Sequence, residues 1–234
     1  MKEHPKNITR RKAVKLGVGA LGITAIGGIG WQFRSTKPAV FPTQALSPMV
    51  PQKQRLLVIY ASMMGSTGDQ AVIVAETARA AGFAAQVSKV DEAPDPRNFD
   101  SIVLMSAIRG SAWLDEMVDY AAGYEKEIAA RPHALLQCSM TCAGLLQSAP
   151  ELSNENRAYL RKDMDSLLTA APSLEKAPYD FLAGRLDFDY LTPVLRFGYP
   201  IVSKSLLYGD FRDPVRTRKQ FDTILATPAF RSFK

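Results

Sequence analysis

A short run of small and hydroxyl-bearing residues has the composition of a phosphate-binding loop. Residues 62–67 read Ser-Met-Met-Gly-Ser-Thr and lie between an apolar run and a segment with helical spacing. Gly65 permits a tight turn, and the backbone amides that open the following helix attract an anion. The loop contains no lysine and lacks the GK[ST] pattern of nucleoside triphosphate sites, so it suits a phosphate monoester. Helix capping alone is the alternative explanation for such a loop.

Apolar runs alternate with segments of helical spacing along residues 54–234. Continuous apolar runs of this length are typical of parallel strands covered on both faces. Asp213 and Pro214 predict the N-cap and first residue of a last helix, and another helix is expected to begin near Ser153. The alternation predicts an α/β fold with three layers and a five-stranded parallel sheet. Its strands are expected at residues 56–60, 84–88, 101–106, 134–138 and 179–184.

Three loops of this sheet should meet at one edge. Ligands of open α/β sheets bind beyond the carboxyl ends of the strands, where the strand order reverses. The loop at residues 62–67 follows the first strand, and residues 106–111 and 139–141 follow the third and fourth strands. The sequence therefore predicts one crevice lined by all three loops. Trp113 is interpreted as a core residue, because it opens a helix that must pack.

The same loops resemble a known family. Residues 60–67 are similar to the phosphate loop Y-G-S-x-x-G-x-T of the flavodoxin-like family, in the branch that contains the menaquinone-dependent protoporphyrinogen oxidase. Residues 106–109, Ser-Ala-Ile-Arg, resemble the A-S-I-R of that branch, and residues 209–213 resemble its tail. Together these similarities span residues 55–225.

The resemblance implies flavin mononucleotide (FMN) as cofactor, with one- or two-electron chemistry carried by the flavin and tuned by the protein. Its phosphate would contact Ser62, Met63, Met64, Gly65, Ser66 and Thr67. Its ring would lie against Ser106, Ala107, Ile108, Arg109, Gly110, Ser139, Met140 and Thr141. Arg109 would either offset negative charge on a reduced flavin or be a solvated surface residue.

A targeting segment precedes the domain. The adjacent Arg10 and Arg11 are followed by an uncharged stretch of eighteen residues, 16–33, with six glycines. This layout resembles a twin-arginine export signal, and an uncleaved membrane anchor is the alternative. Residues 1–34 are thus predicted as signal or anchor, 35–53 as a proline-containing linker and 54–234 as the FMN-binding domain. Residues 43–45, Thr-Gln-Ala, are a weak candidate for a cleavage site.

The positive charge lies in this leader. Of the 29 Lys and Arg residues and 23 acidic residues behind the net charge of +6, eight bases and one acid lie in residues 1–51. The remainder holds 21 bases and 22 acids, a net charge of −1, and shows no basic stripe. We therefore expect no nucleic-acid partner.

Cysteine and histidine are too few for a zinc site or an obvious nucleophile and base. The chain has Cys138, Cys142, His4 and His133, and His133 precedes the fourth predicted strand, at the end opposite the crevice. Structural thiols are favoured over a disulfide for the two cysteines.

Three functions fit these patterns. The first is an exported FMN redox protein that passes electrons between a membrane quinone or a dehydrogenase and an acceptor. The second is a quinone-coupled enzyme of the protoporphyrinogen oxidase type, in which the apolar residues 192–207 meet a membrane or a porphyrin, although a core helix is the favoured interpretation of that stretch. The third is a flavodoxin fold that has lost its cofactor and serves as a binding module.

Overall fold

The structure, a computed structural model, describes residues 40–46, 54–187 and 208–231. The predicted leader, much of the predicted linker and the apolar stretch at residues 192–207 lie outside these ranges. The described part contains a six-stranded sheet with the spatial order β1-β3-β2-β4-β5-β6, in which β2 to β6 are parallel. Its strands are β1 (Gln44–Leu46), β2 (Arg55–Ala61), β3 (Ala84–Lys89), β4 (Ser101–Ala107), β5 (His133–Ser139) and β6 (Tyr179–Ala183). A separate antiparallel pair is formed by β7 (Arg185–Leu186) and β8 (Gly209–Asp210).

Helices cover both faces of this sheet. They are α1 (Ser66–Ala80), α2 (Asp115–Gly123), α3 (Glu125–Ala129), α4 (Met140–Ser148), α5 (Asn154–Arg161), α6 (Asp165–Ala170), α7 (Pro214–Leu225) and α8 (Pro228–Arg231). The predicted three-layer, flavodoxin-like α/β fold is therefore confirmed, as are the helix that starts after Ser153 and the helix that starts after Asp213. Among the described helices, none has the length and apolar character needed to span a bilayer.

The central strands are buried on both sides because their side chains alternate between two cores. Leu57 and Ile59 of β2 face the core shared with α2, α3, α5 and α6. Leu56 and Val58 face the opposite core, shared with α1 and α7. This double burial explains why the strands read as continuous apolar runs.

One strand of the sheet was not predicted. β1 lies within the segment interpreted as a linker and pairs antiparallel with β3, with Ala45 opposite Gln86. The strand is three residues long and packs on the edge of the sheet. A pairing so short leaves no periodic signal in the sequence, since at least four alternating residues are needed to recognise a strand.

Candidate functional site

The loop between β2 and α1 has the geometry expected of an anion cradle. Gly65 is the N-cap of α1 and has a left-handed backbone, with φ 80° and ψ −15°. A Cβ atom at this position would come within 2.5 Å of the Val40 carbonyl oxygen, so only glycine fits. A left-handed residue followed by helical residues turns successive amides toward one point, a concavity that binds anions.

The first turn of α1 receives no cap from the side chain of its N-cap residue. Gly65 carries no side chain to accept a hydrogen bond, and the first four amides of any helix lack intrahelical acceptors. Within the described residues, Thr67 N donates to Ser62 Oγ at a long 3.4 Å, and Asp69 N donates to Gly65 O at 3.0 Å. The positive end of the helix dipole is therefore open to an external anion.

The Thr67 hydroxyl lacks a strong hydrogen-bonding partner among the described residues. The residue is fully buried, and its Oγ1 has no hydrogen-bond partner in the described part of the chain. The Cys138 thiol interacts with it, and this interaction lowers the pKa of the thiol against the larger effect of burial, but a thiol is a weak hydrogen-bonding group. Buried hydroxyls are almost always satisfied, and a phosphate oxygen at the helix N-terminus would satisfy this one. Ser62 and Ser66 are also buried beside it.

Two arginines that the sequence analysis did not identify lie against this loop. Arg185 Nη2 donates to the Met64 carbonyl at 3.0 Å, and its Nη1 lies 3.8 Å from Asp69 Oδ2. The Arg212 guanidinium pairs with Asp69 of α1 and with Asp210, and the latter pair holds the pKa of Asp210 below its usual range. Arg185 is more than 100 residues from the loop in sequence, so no local pattern could have revealed the contact.

The loop after β4 is a tight turn with its polar residues outside. Gly110 and Ser111 have φ of 60° and 56°, as in a type I′ turn, and Ile108 bridges back to Trp113. Arg109 and Gly110 are exposed, whereas Ala107 and Ile108 are half-buried. The Ser106 hydroxyl is engaged within the protein, donating to Ala107 O and accepting from Leu114 N.

The prediction of a loop at residues 139–141 is wrong in its local structure. Ser139 ends β5 and caps α4 by accepting from Cys142 N at 3.0 Å, so Met140 and Thr141 lie in the first turn of a helix. Strand and helix join without intervening residues, and the Ser139 hydroxyl that was interpreted as part of a polar loop is the cap of the helix. The junction still lies at the predicted edge of the sheet.

Sheet register brings the three segments together. Ala61 is opposite Ser106, and Ala107 is opposite Cys138, so the ends of β2, β4 and β5 are neighbours. Ile108 N donates to Cys138 O at 3.2 Å and ties the second segment to the third. The strand order reverses between β2 and β4, which places the predicted crevice at this point.

Two buried amides fix the elements around the site. Gln70 of α1 donates to Ala183 O at 3.1 Å and accepts from Thr217 of α7 at 3.2 Å. Gln137 of β5 accepts from the indole of Trp113 at 3.2 Å and donates to Asp163 at 3.0 Å. Trp113 is thus a core residue, as predicted, and its indole nitrogen is satisfied. Lone glutamines in otherwise apolar positions were the available signal for both.

The thiols near the site are free and protonated. Cys138 and Cys142 are buried and not bonded to each other, in line with the structural thiols favoured above. Burial raises the pKa of each thiol to about 12. His133 opens β5 at the opposite end of the sheet and contacts the Arg131 carbonyl through Nδ1 at 2.7 Å. The raised pKa leaves the thiols unactivated as nucleophiles, and the position of His133 keeps it from acting as a base in the crevice.

A cavity of about 200 Å³ lies elsewhere, between α4, β6 and α7. Its walls include Leu146, Leu182 and Phe211, with Arg216 and Gln220 as polar members. None of the predicted cofactor residues lines it. The phosphate and ring segments instead lie at the carboxyl edge of the sheet.

Comparisons with known proteins found similarity to solved structures but not to curated proteins. A search of curated proteins found no match. A flavodoxin of Streptococcus pneumoniae TIGR4 superposes with TM-score 0.43 and 14% identity over 77% of this chain and 99% of its own. A Fusobacterium nucleatum flavodoxin mutant bound to flavin mononucleotide gives TM-score 0.41 and 10% identity over 77% and 96%. The rubredoxin:oxygen oxidoreductase of Desulfovibrio gigas gives TM-score 0.31 and 12% identity over 55% and 38%.

A family model provides the assignment. The model described as the flavodoxin domain matches residues 57–198, which is more than half of the chain and includes most of β2 and the predicted ring-binding segments. The chain therefore belongs to the flavodoxin domain family.

Proposed function

We propose that this protein is an exported electron carrier that binds one FMN at the edge of its sheet. The observation that carries the proposal is the first turn of α1, where the N-cap residue Gly65 provides no side-chain cap and the buried Thr67 hydroxyl has no oxygen or nitrogen partner among the described residues. That combination stabilises an anion, and it lies where the strand order reverses. Family membership supports a flavin ester as that anion.

The residues present fit the phosphate of FMN. Ser62, Ser66 and Thr67 provide hydroxyl groups, and the amides from Gly65 onward provide the concavity. The Ser62 oxygen accepts from Thr67 N and can still donate its own hydrogen to a phosphate oxygen. The half-buried Ala107 and Ile108 would provide an apolar surface for the ring. Bound flavin supplies one- or two-electron transfer, while the protein binds, orients and tunes it.

The first experiment is the visible absorption spectrum of the purified full chain, with flavin released by heat and identified by chromatography. We expect near-stoichiometric FMN. A colourless protein that also fails to bind added FMN would overturn the proposal and favour a cofactor-free binding module. FAD or riboflavin in place of FMN would contradict the phosphate monoester site.

Export is the second part of the proposal and rests on residues 1–34. The twin-arginine route carries folded proteins, which would allow the cofactor to be inserted before the membrane is crossed. Replacing Arg10 and Arg11 by lysine together should leave the flavoprotein inside the cell, as measured by fractionation. Unchanged export of the double variant would contradict a twin-arginine signal.

The electron partner is proposed to be a membrane quinone or a dehydrogenase. Stopped-flow measurements with a reduced menaquinone analogue should show flavin reduction without a porphyrinogen. Menaquinone-coupled oxidation of protoporphyrinogen by the wild-type protein would instead favour the enzyme of the protoporphyrinogen oxidase type.

A further inference from the structure

The phosphate loop is held from outside by the β7–β8 pair. Arg185 lies on β7, and its guanidinium donates to the carbonyl of Met64, which is a residue of the loop. Arg212 follows β8, and its guanidinium reaches Asp69 in the first turn of α1. Both arginine side chains are largely shielded, with 16% and 18% of their surface exposed. Shielded charges interact more strongly than solvated ones, because less water screens them.

Asp69 creates an electrostatic problem for an anion site. An acidic residue in the first turn stabilises the helix itself, because it complements the positive end of the dipole. The same carboxylate repels a phosphate group bound at that turn. The guanidinium of Arg185 lies 3.8 Å from this carboxylate, and that of Arg212 is in direct contact with it. Both groups offset the negative charge of Asp69.

Resting on the function proposed above, we propose that Arg185 and Arg212 are positioning residues for the cofactor phosphate. Arg185 holds the Met64 carbonyl outward, so that the amides of the loop face inward. Arg212 neutralises Asp69 and thereby removes a repulsive charge from the helix N-terminus. Together they replace the lysine that the loop lacks, and they favour a phosphorylated flavin over riboflavin.

The first test compares Arg185→Gln with Arg218→Gln. Arg218 is an exposed arginine that pairs with Glu76 at 3.6 Å, and Glu76 lies ten residues after the start of α1. Arg218→Gln therefore changes the net charge by the same amount as Arg185→Gln, but far from the loop. We expect Arg185→Gln to weaken FMN binding about tenfold or more at low salt, while riboflavin affinity changes little. Arg218→Gln should leave both affinities near wild type.

Arg185→Lys keeps the positive charge and a hydrogen-bond donor. It therefore shows whether the loss of FMN binding in Arg185→Gln comes from a folding defect. It should restore most of the FMN affinity lost in Arg185→Gln, with the same circular dichroism spectrum as wild type. Equal loss of FMN and riboflavin binding in Arg185→Gln, or no loss at all, would overturn the proposed role of Arg185.

The second test is a double-mutant cycle between Arg212 and Asp69. Arg212→Gln should weaken FMN binding about tenfold in the presence of Asp69 and much less when Asp69 is replaced by Asn. Additive effects would overturn the charge-compensation role. A wild-type chain that binds no FMN would overturn the proposed function and this inference together, whereas wild-type binding with unaffected arginine variants would overturn the inference alone.

Discussion

The N-termini of α1 and α7 both have backbone amides without intrahelical acceptors, and the two helices differ in what satisfies these amides. At α7, the Asp213 carboxylate accepts hydrogen bonds from Val215 N at 2.9 Å and Arg216 N at 3.0 Å, and Pro214 occupies the first helical position. At α1, Gly65 provides no side-chain cap, and the buried Thr67 hydroxyl has no oxygen or nitrogen partner among the described residues. One helix is closed by an anion of the protein, and the other is left open for an anion from outside.

The difference separates stability from binding. A capped helix gains its stabilisation whenever the protein folds, whereas an uncapped one gains it only when ligand is present. Substitutions at α7 should therefore change the free energy of unfolding alone, and substitutions at α1 should change cofactor affinity as well. The following variants test that separation in order of decreasing effect.

Gly65→Ala should have the largest effect. The left-handed backbone costs a residue with a Cβ about 1–2 kcal/mol, and displacement of the Val40 carbonyl adds to it, so the free energy of unfolding should fall by about 2 kcal/mol or more and FMN should be lost. Gly110→Ala is the matched control, because its φ is 60° but a Cβ there meets no atom within 4 Å. Urea unfolding of both variants measures the loss of stability, and flavin titration of Gly65→Ala measures the loss of binding. Equal losses of stability in the two variants would contradict the close approach of Val40.

Thr67→Val should weaken FMN binding without lowering the stability of the flavin-free protein. Loss of a hydrogen bond to a charged phosphate should weaken FMN binding by about 1.5–3 kcal/mol. The flavin-free protein should unfold at the same or a higher urea concentration, because the buried hydroxyl that is removed has no oxygen or nitrogen partner in the part of the chain that the structure describes. Thr223→Val, at an exposed position of α7, is the control. Wild-type FMN affinity in Thr67→Val would argue against the loop as the phosphate site.

Asp213→Ala should affect stability alone. Loss of the cap should lower the free energy of unfolding by about 0.5–2 kcal/mol, with FMN affinity unchanged. Asp222→Ala, an exposed acid near the other end of the same helix, should cause no comparable loss. A large change in FMN affinity for Asp213→Ala would show that the two helix ends are coupled.

The smallest effect at neutral pH concerns the N-terminus of α4. A helix N-terminus normally lowers the pKa of a thiol, yet burial raises the pKa of Cys142 in its first turn to about 12, against an ordinary value of 9.0. The folded protein should therefore not react with iodoacetamide at pH 8, and two thiols should react after unfolding. Because the unfolded thiols lose their protons first, the free energy of unfolding should decline as pH rises above about 9. Rapid labelling of the folded protein would contradict this burial.

The parts that the sequence predicted are those in which the signal is local. The continuous apolar runs of β2 and β4, and the Asp213-Pro214 pair of α7, each follow from neighbouring residues. The β1–β3 pairing and the contact of Arg185 with Met64 depend on residues far apart in the chain, so periodicity could not reveal them. α4 was missed because β5 passes into it directly. The assignment of individual cofactor contacts stays a prediction.

Strand β1 also has a protective consequence. Its pairing covers the outer edge of β3 at residues 85–87, and the Pro42 carbonyl accepts a hydrogen bond from the Tyr60 hydroxyl at 3.1 Å while Pro42 packs near Gly68. An unpaired edge strand is a template for association with another chain. Proteolytic trimming at residues 43–45 would cut through this strand and expose the edge of β3. A processing site located before Val40 would preserve the solubility of the mature protein, whereas one within β1 would favour its aggregation.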